Sequence, residues 1–363
     1  MMKKVLCFFI VVIFVLSFPI CVFSYDYSGD IYDNVDDTTK EYLNELGLNE
    51  LSFDKLFELT PTRVIEFIFS LAFDKATSLT KNFINIFAVM LILAIVSSFL
   101  NENRQLNLVV GYISVLTILS FIMEPISRIL TDAAVGLKSS GLFINVYLPV
   151  MVGVIVASRN PSLAITYNTF SIILSNVISF LSNKILAPFI SVMFSLNIIS
   201  SFSDDDYNVK INKSIRRIVV LILSLFSTLY TGMLSMQSIL ASSTDSFALK
   251  GIKFISGTFI PIVGSNVSDA ISSVVSSFLI MKSTLGVFVI IVIILINLPV
   301  MIELIIWYFF LELCSIFSSL LKIDTITFVY ESLASTISLL NIVLFFITFV
   351  LIISTGIIII MGK

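Results

Sequence analysis

Long apolar runs alternate with short polar ones along the chain, and the apolar runs have the length of a membrane crossing. Asn82–Leu100, Gln105–Met123, Leu163–Leu181, Ile185–Phe202, Ile218–Leu240 and Leu339–Met361 each reach about the 20 residues that span a hydrocarbon core. Polar turns separate them, among them Asn101-Glu102-Asn103-Arg104 and Arg159-Asn160-Pro161-Ser162. Glu124–Gly141 reads as amphipathic, opening with Glu124-Pro125 and carrying Arg128, Asp132 and Lys138. Leu142–Ala157 is short and interrupted by Pro149 and Gly153. Gly286–Leu321 runs for 36 residues, too long for one straight crossing, and Pro299 predicts a kink or a division in it. The pattern predicts an all-α polytopic membrane protein with about seven to nine membrane segments, some of them short or re-entrant.

The N-terminal part differs. Residues 1–24 have the form of a signal peptide: Lys3 and Lys4, an apolar region Val5 to Phe18, Pro19, and a small Ser24 at the cut. An uncleaved first span is the alternative. Residues 25–81 form a small acidic segment with 12 Asp/Glu against 5 Lys/Arg. Apolar spacing in Tyr42, Leu43 and Leu46, and in Leu56, Phe57 and Leu59, predicts amphipathic helices lying on the membrane or on a partner. Thr60-Pro61 predicts a helix start, with the threonine as cap and the proline in the first turn. The transmembrane domain is expected over 82–363. Export of the acidic segment and alternation of the spans put Ser203–Arg217 inside the cell. That loop carries Lys210, Lys213, Arg216 and Arg217, as the positive-inside rule asks.

One stretch stands apart within the membrane region. Lys250 to Lys282 is apolar yet broken, because Pro261 lacks an amide hydrogen and Gly264 admits unusual backbone angles. Non-helical backbone at membrane depth survives only in protein or beside a wet cavity. After the break, Ser265, Ser268, Asp269, Ser272 and Ser276 fall within an arc of about 100° at helical spacing. That face either lines water, with Asp269 at its head, or lets neighbouring helices approach closely. Lys253, Gly257, Pro261, Gly264, Ser268, Asp269, Ser272 and Ser276 are therefore the candidate conduit or packing motif. Glu303, just past Pro299, is the candidate intramembrane acid, placed in a cavity opened by the kink. Trp307 and Tyr308 suit an interfacial band. A faint internal similarity joins Thr131-Asp132, Gly136-Leu137-Lys138 and Leu148-Pro149 to Thr244-Asp245, Gly251-Ile252-Lys253 and Ile260-Pro261; paired broken segments of this kind point to a central site.

Composition narrows the chemistry. The chain is 58% hydrophobic and 12% charged, with a mean hydropathy of +1.07. It contains no histidine, so the commonest general base and metal ligand are missing. Loss of Cys7 and Cys21 with the signal peptide would leave Cys314 as the one cysteine, a buried small hydrophobe by expectation. No glycine-rich phosphate loop is present. No catalytic residues, no cofactor and no metal are expected, and no basic region argues for nucleic acid.

The central motif resembles the stage III sporulation protein AE family. The residues that carry the resemblance are Lys250-Gly251-Ile252-Lys253-Phe254-Ile255-Ser256, Phe259-Ile260-Pro261-Ile262-Val263-Gly264, Val267-Ser268-Asp269-Ala270, and Met281-Lys282 with Gly286. The chain has Phe73-Asp74-Lys75 where the family pattern centres on a glutamate, and Glu303 where a lysine is more usual. The resemblance implies a multi-pass protein of the mother-cell membrane around the forespore. It implies a place in a secretion-like channel complex, with the stage III sporulation A-operon proteins as partners. These include a cytoplasmic ATPase, ring-forming subunits and a forespore partner across the intermembrane space. It carries no catalytic residues. The alternative is a stand-alone secondary transporter for a small solute, with Asp269 and Glu303 binding substrate or a coupling ion.

Overall fold

The computed structural model describes residues 35–48, 60–99, 104–181, 207–259, 264–321 and 323–361, with single positions at 32, 184, 192 and 195. The signal-peptide reading lies outside those residues, as does the span Ile185–Phe202 apart from positions 192 and 195. Among the described residues the protein is all helix: α1 (Asp37–Glu45), α2 (Pro61–Phe99), α3 (Arg104–Ala157), α4 (Pro161–Phe180), α5 (Tyr207–Phe259), α6 (Gly264–Leu320) and α7 (Asp324–Ile360). Six of these are long and apolar enough to cross a membrane. The chain is thus a polytopic helical membrane protein.

Several helices run further than the apolar runs suggest. α2 begins as expected, with the Thr60 hydroxyl accepting from the Arg63 amide at 3.4 Å. It then continues through position 82 without a break, so the change from acidic to apolar sequence is not a change of element. α3 passes through Pro125 and Pro149, and α6 through Pro299, as single helices. Each proline removes one backbone hydrogen bond, and these are the positions where such helices bend. The turn at 159–160 is real: Arg159 adopts φ 61°, and the Asn160 amide donates back to the Ile155 carbonyl at 3.1 Å.

α6 organises the rest. It packs against α1, α2, α3, α5 and α7. With α7 it forms an antiparallel hairpin, from Gly286 beside Ile359 at one end to the Ser318 and Thr327 hydroxyls, 2.8 Å apart, at the other. α2 runs parallel to the second half of α6, with Lys75 at Glu303, Phe83 at Trp307 and Phe310, and Phe87 at Phe317. Trp307 is buried in an aromatic cluster with Phe83 and Phe310. Cys314 is buried, as expected of a small hydrophobe.

The acidic arm docks on the membrane helices of its own chain. Asp36 caps α1 by accepting from the Thr39 amide at 3.0 Å. Gly47, at φ 78°, ends the helix in the left-handed region that glycine enters without strain. Leu43, Leu46 and Leu48 are buried. Tyr42 meets Phe67 edge-on at 5.7 Å, and Arg63 donates to the Glu45 carbonyl. Burial first, and then the carboxylates of Glu41, Glu45, Asp36 and Glu303, push the Tyr42 phenol above its usual range. Folding therefore favours the neutral phenol. That contribution is intact at neutral pH and is lost as pH climbs above about 10, the ordinary tyrosine value.

Candidate functional site

The description of α5 stops at Phe259 and resumes with α6 at Gly264. Pro261, and with it the break expected there, lies outside the described residues. Lys253 and Gly257 fall in the last turns of α5, and Ser268, Asp269 and Ser272 in the first turns of α6. Of these five residues only the helical backbone is described. Ser273, Ser276 and Ser277 are exposed, with Ser277 donating to the Ser273 carbonyl at 3.1 Å.

Further along α6, three buried polar side chains each reach a different neighbour. Lys282 is 1% exposed, and its ammonium donates to the Met361 carbonyl at the end of α7. The last carbonyls of a helix have no partner within it, and a cation there also meets the negative end of the helix dipole. One turn on, Gly286 lets the hairpin close: a Cβ there would lie 2.3 Å from Ile359 Cγ1. Asn297 is fully buried and donates to the Ser140 hydroxyl of α3 at 2.8 Å and to its own Ile293 carbonyl at 3.1 Å. Gly136, one turn from Ser140, brings the α3 backbone close, since a Cβ there would sit 3.5 Å from Asn297 Oδ1. Glu303 is 6% exposed and accepts from Lys75 Nζ of α2 at 2.8 Å. The acid expected in a cavity beside the proline is instead held by an ion pair. Glu303 is thus partnered by the lysine of the Phe73-Asp74-Lys75 stretch.

A second set of contacts binds the other helices. Asn160 precedes α4 without a side-chain cap. Asp245 of α5, 3% exposed, fills that role: its carboxylate accepts from the Ser162 amide at 3.2 Å and the Leu163 amide at 3.1 Å. A carboxylate at a helix N-terminus gains from both the free amides and the dipole. Asp245→Ala is expected to lower stability by about 1–3 kcal/mol, the cost of leaving buried donors unpaired, read as a lower detergent-solubilised Tm. Tyr230 of α5 bridges two more helices, donating to the Phe170 carbonyl at 3.2 Å and lying 3.1 Å from the Ser354 hydroxyl. The faint repeat does not extend to these roles. Asp132, the counterpart of Asp245, is half-exposed and sits 4.0 Å from Arg128 on its own helix.

The arrangement is that of a braced scaffold. Lys282, Asn297, Glu303 and Asp245 each end in a partner on another helix. A cleft between α4, α5 and α7 is lined by Leu174, Val177, Phe226, Phe346 and Val350 and their apolar neighbours, with no polar side chain to orient a solute. Among the described residues no three His, Cys, Asp or Glu side chains come together as a metal site would require.

The family model for stage III sporulation protein AE matches residues 45–362. The chain belongs to the stage III sporulation protein AE family. Membership gives this AE-family chain a role in sporulation, and its six long apolar helices make it a membrane protein. Among curated proteins, stage III sporulation protein AE of Bacillus subtilis (strain 168) is 28% identical over 155 residues, which is 43% of this chain and 39% of that protein. The aligned region thus spans well under half of the curated relative. No solved structure matches the chain.

Proposed function

We propose that the chain is a structural component of the mother-cell-to-forespore channel complex required for endospore formation, with Lys250–Lys282 lining or bracing its conduit. It acts as a scaffold and not as an enzyme, in the mother-cell membrane around the forespore, with its acidic N-terminal segment outside the cytoplasm. Its partners in this reading are the A-operon proteins, including the cytoplasmic ATPase and the ring-forming subunits, and the forespore component across the intermembrane space. The observation that carries the reading is the way the buried polar groups are used. Charged groups at membrane depth pair with one another or with backbone carbonyls, and such pairs can brace helices. Here Glu303 is bound to Lys75, while Asn297 and Lys282 are bound to α3 and α7.

The conduit part is tested by cysteine accessibility. Single cysteines at 254–282, with Cys314 changed to serine, are expected to react with aqueous maleimide along Ser268, Ser272 and Ser276 in assembled complexes. Uniform protection from Ser265 to Ser276 would remove the conduit and leave packing alone.

A further inference from the structure

The α6–α7 hairpin is taller than the hydrocarbon core of a bilayer. Its pairing is continuous from Lys282 at Met361 to Ser318 at Thr327. Those 36 residues of rise measure about 54 Å at 1.5 Å per residue, against a hydrocarbon core of about 30 Å. A tilt of about 40°, the upper end for membrane helices, still leaves about 41 Å.

Charged residues from four helices gather at mid-height of this hairpin. Lys75 of α2 pairs with Glu303 of α6. Arg216 of α5 donates to Ser338 of α7 at 3.2 Å and lies within electrostatic reach of Tyr308 of α6. α3 reaches the same level. Its Gly136 and Ser140 meet Asn297, and from there it runs towards the Met361 end, alongside α4, whose Ser175 meets Gly141. Arg128 and Asp132 therefore lie on the opposite side of Asn297, level with Glu303. Their side chains are 75% and 43% exposed. An exposed ion pair inside hydrocarbon is costly, and at a headgroup surface it is not. The belt divides the apolar body in two. One layer holds 82–99 of α2, 109–123 of α3, 304–320 of α6 and the start of α7. The other holds 282–300 of α6, the end of α7, α4, and α5 beyond Arg217.

We propose that Lys75, Arg128, Asp132, Arg216 and Glu303 lie together at one bilayer surface, and that the hydrocarbon encloses only one of the two layers. This does not depend on the sporulation reading. It has a consequence opposite to simple alternation of spans: Arg217 lies on the same side of the membrane as Asp74, whereas alternation puts them on opposite sides.

The test uses the full-length chain with Cys7, Cys21 and Cys314 replaced by alanine. Single cysteines replace the exposed Asp74, Arg128 and Arg217, and intact protoplasts are treated with a membrane-impermeant maleimide. The expected result is that all three label or all three are protected until lysis. Opposite accessibility of Asp74→Cys and Arg217→Cys overturns the proposal. In reconstituted vesicles, a bimane at Ile84 or Leu313 reports one layer, and at Ile172 or Leu229 the other. A nitroxide at mid-bilayer depth is expected to quench one of these pairs at least threefold more than the other. Equal quenching of both pairs, strong or weak, also overturns it.

Discussion

Lys75→Met is expected to destabilise the protein by on the order of 3 kcal/mol, because it leaves the Glu303 carboxylate buried without its counter-charge. The loss exceeds what a surface ion pair gives, since Glu303 is 6% exposed and its partner amine is 2.8 Å away. The loss falls on the contact that ties α2, and with it the docked acidic arm, to α6. Glu303→Leu in the same background is expected to recover most of it, because an apolar pair needs no counter-ion. The exchanged pair, Lys75→Glu with Glu303→Lys, is expected to fall between the two. Tm in detergent and the amount of chain retained in sporulating membranes give the readout. Single-variant losses that simply add in the double variants would show that the two side chains do not act as a pair.

Gly286→Val is the second large effect. Any Cβ at this position meets Ile359 at 2.3 Å, so the α6–α7 hairpin has to open or Ile359 has to leave its place. Overpacking of this kind costs about 1–3 kcal/mol. Here it also strains the Lys282 contact one turn away, which closes the end of α7. Ile359→Ala should relieve much of the cost of Gly286→Val, and it should have little effect on a chain whose Gly286 is intact. The cycle is read from thermal unfolding in detergent. An unchanged Tm for Gly286→Val would mean that the hairpin is not closed at this glycine.

The helical class was legible because apolar runs of this length leave no alternative in a bilayer. The polar anchors were not. Asp245 carries no mark that distinguishes it from Asp132, since its role comes from α4 amides more than 80 residues away in the chain. Glu303 stood out as an acid in a long apolar run, and Lys75 only as part of the Phe73-Asp74-Lys75 stretch. Their pairing spans 228 residues, and no periodicity reports it. Helix lengths were underestimated for a related reason. Hydropathy marks apolar runs and not helix ends, and α2 and α6 continue past theirs as single helices. Gly286 was visible only as a motif residue, and its reason, Ile359, lies on the returning arm of the hairpin.

The most direct test of the scaffold reading is affinity purification of the tagged full-length chain from sporulating cells under mild detergent. The account predicts that ring-forming subunits and the cytoplasmic ATPase of the same operon co-purify, and that Lys75→Met reduces their recovery along with the chain's stability. A chain that purifies alone, and that moves a solute down an ion gradient in liposomes, would contradict it.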